Sequence, residues 1–471
     1  MNSTSTYSAR FVPLLTVAAI FALAVAATAN AAIENAPFRQ IAPEVYAGPG
    51  IKPDEIEELR QALESFRKQE FEQCSRSLEA ACKKYTQLPP AKLMLARFFL
   101  ADNLFAPGMV AMEQAAAEHP EYPGVYVTFG EMAIRQHRMS DALLHFEKVL
   151  AIAEDGPWRL TQRMSFVVRA HRGLASVAES RGDWASAKIH LDLLLKYEAK
   201  NGRLRQALAR TLLHLDRPGE AYERLQEATK LDPTLAPPAV AMGMLYSRIG
   251  TGDKAAEWMD RAVKENPKDP KSLLGVATWL LQQGKLDDAQ RRADAALKVA
   301  PDSAQAMFLC GVVAQHRKDY PLAETHFQLL HQKTPDDWRV RDLLAIVLAE
   351  QPEASKQRRA VFLAEANLKE QPDSINFLTT AGWAYYQLDR LDDAEKSLQA
   401  AKDKTNGPPG LDTAYYLARV RADRGQWAEV RDLLKPTLSA TAVWNFREEA
   451  RGLLAKAERS LGDAARTPKE D

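Results

Sequence analysis

The chain has 471 residues, of which 46% are hydrophobic and 26% charged, a composition typical of a folded protein and not of a disordered one. Its 62 basic and 62 acidic residues give a formal net charge of zero, so the overall charge does not favour nucleic acid or an anionic membrane surface as a partner. The three cysteines, Cys74, Cys82 and Cys310, form no disulfide framework, and we expect them to pack in the core.

Residues 1–31 have the pattern of a signal peptide. Arg10 supplies a positive start, Leu14 to Ala27 an apolar run, and Ala27-Thr28-Ala29 and Ala29-Asn30-Ala31 two small-residue cleavage sites. This predicts export to a periplasm or beyond. The alternative is an uncleaved anchor in the inner membrane, but the run falls short of the roughly 20 strongly apolar residues that a membrane span needs.

Residues 32–54 are rich in Pro and Gly, which predicts a linker, and helical periodicity begins at Glu55. From there a pattern of 34 residues recurs. The eighth residue of each unit is Ala or Gly: Ala62, Ala96, Gly130, Ala175, Ala209, Gly243, Ala277, Gly311, Ala345, Gly382 and Ala418. Two antiparallel helices joined by a short turn approach closely only where such small residues face the neighbouring helix.

This pattern resembles the tetratricopeptide repeat (TPR). The resemblance implies an all-α fold, a right-handed superhelical solenoid of about eleven helix-turn-helix repeats with a C-terminal capping helix. Repeats one to three occupy 55–156 and repeats four to eleven occupy 168–444, with an insertion at 157–167 that we expect to lengthen the next helix from Pro157. Residues 445–462 are amphipathic, as a capping helix requires, and 463–471 form a polar tail.

The sequence contains no motif of catalysis. Its nine histidines show neither H-E-x-x-H nor zinc spacing with cysteine, and neither a phosphate-binding glycine loop nor a G-x-S-x-G motif occurs. We therefore expect no enzyme activity, no cofactor and no metal site.

The remaining candidate site is the groove. In TPR proteins the first helices line a concave surface, and the resemblance implies that positions 2, 5, 9, 12 and 13 of each repeat point into it. The candidates change from basic to apolar to aromatic along the chain: Arg169, Arg172, Arg203, Arg210, Met244, Phe308, Trp383, Tyr386, Tyr415 and Arg419. Aromatic and Arg side chains are common anchors of protein interfaces.

Each group of candidates has a second interpretation. The apolar and aromatic residues could pack between helices, and the arginines could form ordinary ion pairs on a solvated face. The Lys and Asn pattern of the carboxylate clamp of chaperone-binding TPR proteins is absent from the first five repeats.

We predict a non-catalytic scaffold that binds a peptide or a partner protein, of unknown identity, in envelope assembly or secretion. The alternatives are a membrane-tethered assembly factor and a carbohydrate-binding subunit that uses Trp383, Tyr386 and Tyr415 as a sugar platform.

Overall fold

A computed structural model of the chain describes residues 55–405, 407–440 and 444–464. The predicted signal peptide, the linker and the end of the polar tail lie outside these residues. Within them the chain forms 23 helices and no strand, so the predicted all-α class is confirmed. The helices are α1 Glu57–Arg67, α2 Phe71–Lys84, α3 Ala91–Ala101, α4 Phe105–Glu118, α5 Pro123–Arg135, α6 Met139–Asp155, α7 Leu160–Arg181, α8 Trp184–Tyr197, α9 Gly202–His214, α10 Pro218–Leu231, α11 Pro238–Arg248, α12 Gly252–Glu265, α13 Pro270–Gln282, α14 Leu286–Val299, α15 Ala304–His316, α16 Tyr320–Lys333, α17 Trp338–Ala349, α18 Ala354–Glu370, α19 Ile375–Gln387, α20 Leu391–Asp403, α21 Leu411–Asp423, α22 Trp427–Thr437 and α23 Arg447–Ala464.

The helices divide into two compact units, which within the described residues are 55–250 with α1 to α11 and 251–464 with α12 to α23. In each unit, an odd-numbered helix packs against the even-numbered helix that follows it, and each even-numbered helix also contacts the first helix of the next pair. First helices of neighbouring pairs touch directly, as in α5 with α7 and α19 with α21. The last helix, α23, packs against α22 and covers the eleventh pair.

The small residues of the 34-residue pattern are buried at the helix contacts. The eighth residue of all eleven predicted repeats is buried. At Gly311 in α15, a Cβ atom would lie 2.5 Å from the ring of Phe327 in α16. Because real Cβ atoms do not approach a neighbour so closely, the glycine permits the ring to pack against the backbone.

The turns within the pairs share one left-handed residue. Position 15 of the repeat has a positive φ in ten of the eleven pairs, at Gln69, Asn103, His137, Gly182, Asp216, Gly250, Gly284, Lys318, Asp389 and Gly425. In the ninth pair this position is Pro352. Because proline fixes φ near −65°, it cannot adopt this conformation, and the chain reaches α18 through the four-residue turn 350–353, one residue longer than the turns on either side. We expected all three added residues of this repeat in the turn, but most of them lengthen α18, which has 17 residues.

The insertion lengthens α7 at its start, as predicted, but the helix begins at Leu160 and not at Pro157. The difference follows from the packing of Trp158. Its ring lies edge-on to Tyr122 at 5.3 Å, and its Nε1 donates to the carbonyl oxygen of Ile152 at 3.4 Å. Among the described helices, none has the length and apolarity needed to cross a membrane.

Candidate functional site

Positions 2, 5, 9, 12 and 13 of each repeat fall on one side of its first helix by helical spacing, and we call this side the first-helix face. This surface carries hydrogen bonds between neighbouring repeats. The predicted site residues lie on it, and their partners decide what each can contribute.

The predicted basic residues of the unit 55–250 are mostly paired with glutamates. Arg169 donates to both carboxylate oxygens of Glu131 at 3.0 and 2.7 Å. Arg210 donates to both carboxylate oxygens of Glu179 at 2.8 and 2.7 Å. Both pairs join first helices of adjacent repeats, α5 with α7 and α7 with α9.

The two other arginines are more exposed. Arg172 donates to Glu198 at 2.5 Å, although 58% of its own side chain is exposed. Arg203 is exposed at the start of α9. The predicted basic stretch is therefore a surface of alternating charge, in which Arg172 and Arg203 are the arginines most accessible to a partner.

Arg97 in α3 occupies position 9 of the second repeat but was not among the predicted site residues. Its Nη2 atom lies 3.4 Å from the hydroxyl of Thr128, and within the described part of the chain no carboxylate forms an ion pair with it. Burial and the neighbouring guanidinium of Arg169 lower the pKa of Arg97 to about 10. A desolvated cation without a carboxylate destabilises the fold.

The predicted apolar residues are more buried than a binding surface requires. Met244 and Phe308 are partly buried, and the Phe308 ring lies 6.3 Å from the ring of Phe327. Leu274 and Leu281, at positions 5 and 12 of the seventh repeat, are 3% and 1% exposed. These residues pack mainly between helices.

The predicted aromatic residues belong to a packed group. Trp383 is 4% exposed and Tyr415 is 2% exposed, so neither offers an open surface in this structure. The Trp383 ring stacks on Tyr386 at 5.0 Å and on Tyr416 at 4.1 Å. Large flat rings at the first-helix contacts are buried by one another, which is the packing interpretation of the sequence pattern.

Tyr386 and Arg419 remain at the edge of this group. The Tyr386 hydroxyl donates to Asp423 at 2.7 Å and accepts from Arg419 Nη2 at 3.0 Å. Burial and the bond to Asp423 raise the pKa of Tyr386. These two side chains are half-buried and fixed by hydrogen bonds between α19 and α21, so they form a rigid polar edge.

Two further aromatic side chains come from beyond the repeats and were not predicted as site residues. Phe446 stacks on Tyr415 with ring centroids 5.0 Å apart, and Trp444 lies edge-on to Tyr415 at 5.9 Å. Repeat periodicity could not select them because they lie outside the 34-residue pattern. We call Trp383, Tyr386, Tyr415, Tyr416, Trp444 and Phe446 together the aromatic cluster.

A partly buried carboxyl group, that of Glu350, is hydrogen-bonded to the aromatic cluster. Trp383 Nε1 donates to Glu350 at 2.8 Å. Burial raises the pKa of Glu350 to about 7, although the Trp383 hydrogen bond and the charge of Lys318 act in the opposite direction. Glu350 directly follows α17. Nothing in the sequence identifies it as a site residue.

The chemistry available at these sites is binding by stacking, hydrogen bonds and ion pairs. Burial raises the pKa of the Cys74 and Cys310 thiols to about 12 and that of Cys82 to about 11, so the reactive thiolate form is disfavoured. Among the described residues, no group of three or more His, Cys, Asp or Glu side chains is placed to hold a metal ion.

Comparison with known proteins identifies the repeat in one part of the chain. Residues 277–337, from α13 to the start of α17, match the family model described as Tetratricopeptide repeat. A TPR repeat-containing protein of Pseudomonas aeruginosa is 25% identical over 155 residues, which cover 33% of this chain and 26% of that protein. The human protein O-mannosyl-transferase TMTC1 is 27% identical over 146 residues, which cover 30% of this chain and 17% of that protein.

The matched parts are short, since this chain spans only 26% and 17% of the lengths of those two relatives. Among solved structures, a tetratricopeptide repeat protein from Parabacteroides merdae gives a TM-score of 0.44 with 15% identity, covering 55% of this chain and 98% of that chain. Residues 277–337 are thus similar to the tetratricopeptide repeat family, and the small eighth residues from Ala175 to Ala345, on both sides of this match, keep the 34-residue spacing.

Proposed function

We propose that this chain is a non-catalytic scaffold that binds a peptide or a partner protein on its first-helix face. The observation that carries the proposal is the set of hydrogen bonds between first helices of neighbouring repeats, such as Arg169 with Glu131 and Arg210 with Glu179. They hold polar side chains of successive helices in fixed positions. A surface fixed before binding loses less conformational entropy when a partner docks.

The proposal includes export, with the work of the scaffold in envelope assembly or secretion. It rests on residues 1–31, whose charged start, apolar run and small-residue sites are those of a cleaved signal. N-terminal sequencing of the mature protein tests this part. A start at Asn30 or Ala32 supports it, whereas an intact Met1 in the membrane fraction supports the tethered assembly factor.

Partner binding is tested by crosslinking and capture with the full chain. One variant carries Arg172→Glu and Arg203→Glu on the first-helix face. The matched control carries Lys196→Glu and Lys230→Glu, which change the net charge equally but lie on the second helices α8 and α10. We expect a partner that is captured by the wild type and the control and lost with the first variant. Equal capture by all three chains contradicts a site at these arginines.

The carbohydrate-binding alternative has weaker support. A sugar platform needs an exposed aromatic face, and Trp383 and Tyr415 are buried within the aromatic cluster. Glycan binding by the wild type that is lost in a folded Tyr386→Ala variant would favour this alternative over the scaffold.

A further inference from the structure

The chain's own residues 444–449, which we call the C-terminal segment, lie on the first-helix face of the unit 251–464. Trp444 Nε1 donates to Asp412 in α21 at 2.8 Å. Asn445 Nδ2 donates to the carbonyl oxygen of Gln315 in α15 at 3.4 Å, and Glu449 forms an ion pair with Lys318 in the turn after α15. The contacts therefore extend from the eleventh repeat to the eighth. A segment that only capped the last repeat would need none of the contacts near α15.

Phe446 is the anchor of the C-terminal segment. It is 9% exposed, and its ring lies 5.0 Å from Tyr415, 5.5 Å from Tyr416 and 6.2 Å from Trp383. A buried aromatic side chain in a pocket of other rings is the usual form of an interface anchor.

The contacts are those of a bound peptide more than those of a repeat helix. Residues 444–446 precede α23 and are not helical. They are held by side chains, through one indole donor, one amide donor and one aromatic ring, and the carboxylate of Glu449 follows in the first turn of α23. Short peptide segments bind protein surfaces in this way, with side-chain anchors in separate pockets.

We propose that the rings of Trp383, Tyr415 and Tyr416 form a docking site for a short peptide of a partner protein, and that the C-terminal segment occupies this site in cis. The peptide carries two aromatic side chains separated by one residue, and a carboxylate three residues after the second, as in Trp444, Phe446 and Glu449. The inference rests on the proposed scaffold function, because it names the chemistry of the partner.

Occupation in cis has a consequence for affinity. A segment of the same chain competes with a free peptide at an effective concentration on the order of millimolar. A partner peptide of the same chemistry therefore binds the intact chain weakly and binds well once the C-terminal segment is removed from the site.

The test uses the full chain with Trp444→Ala and Phe446→Ala, the open variant, and a labelled synthetic peptide with the sequence of residues 441–452. Fluorescence anisotropy measures binding. We expect the peptide to bind the open variant at least about ten-fold more tightly than the wild type. A peptide with both aromatic residues replaced by alanine is expected to bind neither chain. Absence of binding to a folded open variant overturns the proposal.

A second pair of variants locates the site. Lys318→Glu in the open variant removes the partner of the peptide carboxylate and is expected to weaken binding. Lys268→Glu makes the same charge change at an exposed position of the same unit and is expected to leave binding unchanged. Equal effects of the two substitutions contradict docking at this site.

If the open variant does not fold, hydrogen exchange in the wild type replaces it. Excess peptide should accelerate exchange at residues 444–450 by displacing the C-terminal segment, and unchanged exchange overturns the proposal. A wild-type dimer that dissociates in the open variant would assign the bound segment to a second copy and overturn occupation in cis. The arginine variants of the unit 55–250 test the scaffold function separately, so failure of one experiment does not imply failure of the other.

Discussion

The ring of Phe146 lies where a side chain at Gly130 would extend, because a Cβ atom on Gly130 would be 2.7 Å from Cζ of Phe146. Phe146 lies in α6, and its fully buried ring packs against α5 at Gly130 and α7 at Gly173. Gly130→Leu should therefore overpack this contact and lower the free energy of unfolding by about 1–3 kcal/mol. Thermal melting measures the change.

The matched control is Gly452→Leu in α23, where nothing lies within 4 Å of an added Cβ. Leucine has a higher helix propensity than glycine, so this change should be neutral or stabilising by up to about 1 kcal/mol. Similar losses for the two variants would show that Phe146 does not set the cost.

The left-handed turn position gives a pair of opposite predictions. Gly284 has φ of 71° and Gln69 has φ of 61° at the same repeat position. Gly284→Gln should lower the free energy of unfolding by about 1 kcal/mol, and Gln69→Gly should raise it by up to that amount, because only glycine adopts this conformation without strain. Urea unfolding of both variants tests the signs. A gain in stability for Gly284→Gln would refute this account of the turn.

Periodicity predicted the helix pairs well because their main constraint is local. A small residue is needed at the eighth position in every pair, and Ala62 and Ala418 meet this need in the first and the last repeat. The turn position was harder to identify from sequence, since Gln69 and Lys318 occupy it as well as glycine. The exception at Pro352 is consistent with the same rule, because its longer turn replaces the left-handed residue.

The contacts of the candidate site were predictable only in part. The position rule selected Arg169 and Arg210 but could not show that Glu131 and Glu179, 38 and 31 residues away, neutralise them. The packing of the C-terminal segment over Tyr415 could not be predicted. Its ion pair joins Glu449 to Lys318, which are 131 residues apart and are not related by the repeat. Such contacts depend on how several repeats stack.

Arg97 and Arg210 should respond differently to loss of charge. Arg97→Met removes a partly desolvated cation that has no carboxylate partner in the described structure, so the free energy of unfolding should stay constant or rise by about 1 kcal/mol. Arg210→Met leaves the carboxylate of Glu179 without its two hydrogen bonds and should lower stability by about 1 kcal/mol. Urea unfolding compares the two. If Arg97→Met lowered the free energy of unfolding as much as Arg210→Met, the Arg97 guanidinium would not destabilise the fold.

The unit 55–250 should lose stability in mild acid. Burial lowers the pKa of His145, His171, His190 and His214 below the value of 6.5 for a free histidine. The folded state then binds fewer protons than the unfolded state, so stability is complete above about pH 6.5 and falls as the pH decreases below it. The Nδ1 atoms of His171 and His190 are 3.1 Å apart, which disfavours protonation of both rings.

Hydrogen exchange in α7 and α8, corrected for the intrinsic rate, measures this loss of stability between about pH 7 and about pH 5.5. His190→Gln should reduce the dependence on pH, because the variant has one fewer group that gains a proton on unfolding. A pH dependence identical to that of the wild type would exclude the histidine pair as its cause.

Glu350 should give the opposite dependence on pH in the unit 251–464. Its pKa is raised from 4.5 to about 7 by burial, so the folded state binds more protons than the unfolded state between these values. The stability contributed by Glu350 is complete below about pH 4.5 and is lost as the pH rises through about 7. Glu350→Gln keeps an oxygen that can accept from Trp383 but cannot ionise. The variant should therefore gain stability relative to the wild type between about pH 5 and about pH 8.

Glu257→Gln, at an exposed position of α12, is the control. Urea unfolding at both pH values measures the difference, and a constant difference for Glu350→Gln would mean that this carboxyl group is ionised throughout the range, with the indole of Trp383 and the ammonium of Lys318 outweighing its burial.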